Sequence, residues 1–351
     1  MLNTIFHLET SPGNIPFSLY REIAKNPQVE LAIPYAVGDN YQGFRIVGTT
    51  EEIFTKFEYR KGQKFEVESG GNFFNPKEKE AVIGSFAARQ TGLKVGDVFQ
   101  PYHGLIFDEN AKHDDDYKVV GILKTTNSPS DRVIWIPLDG IYRMKGHVLR
   151  GTGENFKATE GEEIPEEAKE VSAVMLKLKS LQAGMALEQT INRQGKVATL
   201  AFPIGRTMAE LFDKIGWINR VLELIAYLVV IVAAFSILAS IYNSINERRR
   251  EFAILRALGA KRTTVFSVIL LESAVIALIG AMFGYLIYLA ILWGTALIVK
   301  NQTGVILNIF QFDWILVLTP ILMTVVGAIA GLIPAFKAYR TDVAENLIPN
   351  S

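Results

Sequence analysis

The apolar positions of this chain change their pattern near residue 200. Beyond it they run together into three stretches, 221–242, 273–299 and 314–336. Each approaches or exceeds the about 20 residues a helix needs to cross about 30 Å of hydrocarbon. The first stretch holds one charge, Glu223, near its start. The second holds none, and its helix is expected to begin near residue 266 and take in Glu272. The third holds none and contains Pro320 and Pro334. Just ahead of the first run, Met208, Leu211, Phe212, Ile215 and Ile218 recur at three- and four-residue spacing, which predicts an amphipathic helix over 204–220. It is either a stalk continuing the span outward or a helix of the preceding domain that abuts the membrane.

Before residue 200 the apolar runs are short and of mixed period, the pattern of an α+β domain over 1–203. Helices are predicted at 17–25, 84–90 and 181–193. Strands are predicted at 29–37, 42–48, 81–83, 117–123, 132–138 and 171–178, with another strand after the turn 92–97. Residues 127–131 form a second turn, and 144–170, polar and acidic, reads as a long surface loop.

Between the first two spans, 246–265 reads NERRREFAILRALGAKRTTV and carries Arg248, Arg249, Arg250, Arg256, Lys261 and Arg262. An Arg at the bilayer centre costs roughly 2.5–3.5 kcal/mol, and basic loops stay on the cytoplasmic side. The link 243–265 is therefore cytoplasmic. The link 300–313 holds a single basic residue, whereas Lys337 and Arg340 follow the third span. The spans then run inward, outward and inward, and residues 1–203 are extracytoplasmic. Phe252, Ile254, Leu255 and Leu258 recur among the charges at helical spacing, with Gly259 as a stop. The plainer reading of the basic cluster is a topology signal alone. A plain loop has no need of that apolar stripe, so something is expected to cover it.

Composition narrows the chemistry. Lys plus Arg and Asp plus Glu each total 36 in 351 residues, so net charge points to no nucleic-acid partner. With no cysteine, disulfides, thiolate metal sites and Cys nucleophiles are excluded. No G-x-x-x-x-G-K-[ST], HExxH, GxSxG or GxGxxG pattern occurs, and Gly195-Lys196 is followed by Val197. No catalytic residue and no cofactor is expected. Imidazoles and carboxylates at His103, His113, Asp114, Asp115 and Asp116 could ligate zinc or manganese. The plainer reading is an unstructured charged turn without metal, with His7 and His147 isolated. Two small-xxx-small pairs, Gly280 with Gly284 and Gly327 with Gly331, let helix backbones approach. The N-terminal residues carry neither a basic n-region nor an apolar h-region. Export of 1–203 then implies either the opposite topology or a membrane helix preceding Met1.

The segment NERRREFAILRALGAKRTTVFSVILLES, the ending GLIPAFKAYRTDVAENL, and EAVIGS, GLKVGDVF and YKVVGIL before RVIWIPL resemble ABC transporter permeases of the MacB/FtsX/LolC class. The resemblance implies a MacB-like extracytoplasmic domain, an FtsX-like transmembrane domain over 221–351, and four spans, the first upstream of Met1. It implies a separate ABC ATPase partner, a second permease copy or paralogue, and no enzymatic activity in this chain. Coupling to the ATPase would fall on Glu247, Arg248, Arg249, Arg250, Glu251, Ile254, Leu255, Arg256, Leu258 and Gly259. The implied function is transmission of ATP-driven motion for export or release of a drug, peptide or lipoprotein, from a multi-pass position in the cytoplasmic (inner) membrane. A periplasmic adaptor could join it. The alternatives are activation of a wall hydrolase, and a membrane-anchored receptor or enzyme.

Overall fold

The computed structural model describes Thr4, His7 and residues 13–71, 75, 79–145, 147–151, 155–158, 162–194, 197–309 and 313–340. It divides into two compact units, Met1–Leu211 with Val299–Ile306, and Phe212–Ile298 with Leu307–Ser351.

The first unit begins with β1 (Ile15–Pro16), α1 (Phe17–Lys25) and the long strand β2 (Val29–Tyr41). Asn26 ends α1 by leaving the helical region (ψ 127°), the conformation favoured before Pro27, and its side chain accepts from the Gln28 N–H. A two-residue turn joins β2 to β3 (Phe44–Thr49), and both Gln42 and Gly43 have positive φ, the geometry that matches the twist of paired strands. Next come α2 (Glu52–Thr55), β4 (Val67–Gly70), β5 (Glu80–Ile83), α3 (Ser85–Thr91), β6 (Val98–Phe99), β7 (Tyr102–His103) and β8 (Tyr117–Leu123). The unit's main fold closes with β9 (Ile134–Pro137), α4 (Leu138–Arg143), β10 (Glu170–Val171), β11 (Ala173–Leu178) and α5 (Leu181–Gln194).

The main sheet runs β11-β2-β3-β9-β5-β8-β4, with β6 on β8 and β7 on β2. Among the described residues, only the β3–β9 and β5–β8 pairs are parallel. Alternation along the strands feeds two cores. Ile46, Ile83, Ile134 and Ile136 join α3 and α4 on one face, while Val47, Val82 and Trp135 join Ile33, Phe54 and Phe65 on the other. Both faces are covered, so the central strands are apolar throughout.

Two expectations need correction. The predicted strand 132–138 is cut short by α4, whose Leu138, Ile141 and Tyr142 sit at i, i+3 and i+4 and pack into the first core. The stretch 144–170 is not simply a surface loop, because Leu149, Ile164 and Ala168 are buried and Leu149 pairs with Phe156. Residues 299–306 belong to this unit by direct contact. Asn127 Nδ2 donates to the Ile306 carbonyl, Arg132 Nη1 donates to the Gln302 carbonyl, and Phe86 lies against Gly304.

The second unit is helical, and three helices among the described residues are long and apolar enough to cross a membrane. They lie in α6 (Ile204–Glu247), α8 (Arg262–Thr303) and α9 (Trp314–Arg340), with the short α7 (Arg249–Ala257) after α6. The predicted helix over 204–220 is the unbroken start of α6, although the side chains of Met208 and Leu211 lie outside the described residues. At 1.5 Å per residue, 42-residue α8 is about 63 Å long, roughly twice a hydrocarbon core. The faces of these helices expose Phe235, Phe283, Ile291 and Trp314, as a lipid-facing surface requires.

Candidate functional site

The link between the first two spans folds as a helix with both ends defined. Arg248 leaves helical geometry (φ −99°, ψ 13°), so the chain turns between α6 and α7. At the other end, the Ala260 N–H donates to the Leu255 carbonyl and the Gly259 N–H to the Arg256 carbonyl, with Gly259 at φ +102°. This is a Schellman stop, and its left-handed position favours glycine.

The two faces of α7 differ. Phe252 packs with Ile241, Ile245, Val265, Ile269, Ala335 and Ala338, the cluster that joins α6, α8 and α9, and Ala253 is buried. Arg248 clamps the same side, with Nε 3.1 Å from Glu251 and Nη1 3.7 Å from Glu272 at the start of the second span. On the outward face Ile254 is 44% exposed, Leu255 50% and Leu258 80%. Glu247, Arg249, Arg250 and Gly259 are exposed, Arg249 bonding to Asn246 Oδ1, while Arg256 is half-buried. The apolar stripe read from the spacing is thus split between a bundle contact and an uncovered patch.

Of the small-residue pairs, Gly327 and Gly331 pack against α8. A Cβ at 327 would lie 2.3 Å from the Ala277 Cβ, and one at 331 would lie 2.0 Å from Ser273 Oγ. Gly280 and Gly284 face nothing within 4 Å among the described residues, so this chain by itself brings only one pair into use.

A second constellation lies in the first unit. Asp39 follows a register shift in β2 and stands opposite His103 of β7. His113 comes after a short 3-10 turn, its N–H donating to the Pro101 carbonyl, and His147 follows α4. His113 Nε2 and His147 Nε2 each lie 3.1 Å from Asp39 Oδ1, and His103 Nδ1 lies 3.4 Å from it. The Asp39 side chain is inaccessible to solvent, and its Oδ2 has no hydrogen-bond partner among the described residues. Burial works against its charge, but bonds from His113 and His147 hold the carboxyl below the usual range. Burial likewise disfavours the charged His113 ring, and Asp39 beside it outweighs this and raises its pKa.

The charged turn is therefore ordered. Asp115 is buried, pairs with Lys79 at 2.8 Å and accepts from the Lys145 N–H, and the Lys145 carbonyl bonds His113 Nδ1 at 2.8 Å. Asp114 is exposed and outside the cluster. Asp39 and His147 take the places that sequence spacing had not assigned. Asp39 sits in a strand 64 positions before His103 and His147 sits 34 after His113, so no local spacing could have found them.

The FtsX-like permease C-terminal family model matches residues 223–343. The uncharacterized ABC transporter permease MJ1507 of Methanocaldococcus jannaschii is 24% identical over 322 residues, 88% of this chain and 74% of its own length. The uncharacterized ABC transporter permease YknZ of Bacillus subtilis is 30% identical over 145 residues, 40% of this chain and 35% of its own. The macrolide export ATP-binding/permease protein MacB of Bordetella avium is 27% identical over 149 residues, 42% of this chain but only 21% of its own length. The periplasmic region of MacB from Actinobacillus actinomycetemcomitans aligns over 52% of this chain and 76% of that one, at 12% identity and a TM-score of 0.34. The three apolar helices and the basic link make the chain a multi-pass protein of the cytoplasmic membrane. Residues 223–343 are an FtsX-like permease domain, and the chain is homologous to the ABC transporter permeases MJ1507, YknZ and MacB.

Proposed function

We propose that this chain is the membrane subunit of an ABC transporter and that α7 is the element through which a separate ATPase moves it. One observation carries the reading: α7 is locked onto the spans by Phe252 and Arg248 while Ile254, Leu255 and Leu258 point away uncovered. A helix built this way passes displacement of its outer face to the bundle, because close-packed interiors shift as units. ATP binding in the partner would push α7 and with it the junction of α6, α8 and α9. The outer domain would then act on an extracytoplasmic substrate such as a drug, peptide or lipoprotein. A second permease copy would complete the assembly, as one ATPase dimer presents two docking sites.

The test is co-expression of the full chain with each candidate ABC ATPase of the same genome. The expected result is a detergent-stable complex whose ATP hydrolysis exceeds that of the ATPase alone. A chain that supports transport with no ATPase bound refutes the reading.

A further inference from the structure

We propose that Asp39, His103, His113 and His147 form a binding site for a divalent transition-metal ion, zinc before others, in the extracytoplasmic domain. This goes beyond the permease reading and does not depend on it.

Three of the four histidines in the chain converge on one carboxylate oxygen, and the four ligand atoms lie within 4.8 Å of one another. As hydrogen bonding alone, the arrangement is lopsided. Three imidazole nitrogens crowd Oδ1 at 3.1, 3.1 and 3.4 Å while the buried Oδ2 accepts nothing from the described residues. A zinc ion bonds nitrogen and oxygen at about 2.0–2.2 Å, so the ligand–ligand edges of its tetrahedron are about 3.3 Å. The three edges from Asp39 already have that length.

The ring of His113 points the same way. Its Nδ1 faces a carbonyl oxygen, which can only accept, so Nδ1 carries the proton. A neutral ring of this tautomer presents its Nε2 lone pair, the one a metal takes, at 3.1 Å from Asp39 Oδ1, whereas a charged ring donates there. The carbonyl that fixes this tautomer is itself positioned by Asp115 through the Lys145 N–H, the outer support that metal-bound histidines characteristically have. The ring centroids, 5.3–5.4 Å apart and tilted edge to face, leave the three rings fanned about a common point. His103 is 61% exposed, which gives an ion a way in from solvent.

Nitrogen-rich sites with one carboxylate suit zinc and its neighbours rather than magnesium or calcium. The ligands come from β2, β7, the segment after the 3-10 turn and the segment after α4. One ion would tie together four pieces of chain that are otherwise joined here by short strands and turns, stabilising the fold on this side of the sheet.

The experiment uses the full chain in detergent without a polyhistidine tag, stripped with chelator, reloaded with zinc chloride and desalted. Metal content is measured by mass spectrometry, affinity by competition with a chelating fluorophore, and thermal stability with and without zinc. The expected result is one zinc per chain and a melting temperature raised by zinc. His103→Ala and His147→Ala are expected to weaken zinc binding by at least about tenfold. His103 is exposed, so His103→Ala should melt like the stripped wild type and separate metal loss from misfolding. Cobalt in place of zinc should give the visible absorption of a four-coordinate ion, lost in His147→Ala. Zinc well below one per chain in the wild type, or equal zinc retention in both variants, overturns the site and leaves a hydrogen-bonded imidazole and carboxylate cluster in its place.

Discussion

Leu258→Asp separates the proposed docking role of α7 from its place in the bundle. Leu258 lies outside the apolar cluster that contains Phe252, and 80% of its surface is open. Full burial of a leucine contributes about 1.5–3 kcal/mol, so a partner covering this residue gains about 2 kcal/mol from it. The aspartate forfeits that gain and adds a carboxylate that is costly to bury without a partner. At about 1.4 kcal/mol per factor of ten, affinity for the ATPase should fall at least about 30-fold. The chain itself should hardly notice, since a negative charge near a helix C-terminus costs only about 0.3–1 kcal/mol at an exposed site. The assay pairs ATPase binding and stimulated hydrolysis with a thermal melt of the permease in detergent. Phe252→Ala is the contrast, expected to lower the melting temperature because its ring packs against the cluster that joins α6, α8 and α9. Wild-type ATPase affinity in Leu258→Asp, with the protein folded, refutes docking on this face.

Other outcomes follow from the same geometry. Gly331→Ala puts a Cβ 2.0 Å from Ser273 Oγ and should destabilise the bundle by about 1–3 kcal/mol, whereas Gly280→Ala meets open space and should leave the melt of the isolated chain unchanged. Equal melts for the two would remove the α8–α9 contact. Cysteines introduced at the exposed Ile106 and Thr263, in a chain that has none of its own, should react with an impermeant thiol reagent from opposite sides of the membrane. Labelling from the same side defeats the topology. His7 is held neutral against Trp135 and Tyr35, its pKa lowered to about 3 by burial and then by Arg45. The unfolded chain therefore takes up the extra proton below about 6.5, so the contribution is complete above that pH and lost as pH falls toward 3, at up to about 1.4 kcal/mol per pH unit. His7→Phe should flatten this acid limb of the stability profile, and an unchanged slope would show that the ring titrates normally.

Much of the architecture was legible in the residues because its causes are local. Uninterrupted apolar runs specify the spans, the arginines of 248–250 specify their sidedness, and Asn26-Pro27 and Gly259 specify helix ends, each through chemistry that acts within a few residues. α4 was missed because its three core residues continue the apolar run of β9, and six residues are too few for a helical period to declare itself.

What only the tertiary structure decided is which of these residues meet. The split of the α7 stripe depends on where α6, α8 and α9 place their ends, and the choice of Gly327 and Gly331 over Gly280 and Gly284 depends on which helix faces which. The cluster at Asp39 is the extreme case. A register shift in β2, a strand pairing with β7 and two turns bring together side chains 10, 34 and 64 positions apart along the chain. Hydropathy and spacing act along the chain, whereas a coordination sphere is a statement about points in space. Only the folded sheet converts one into the other.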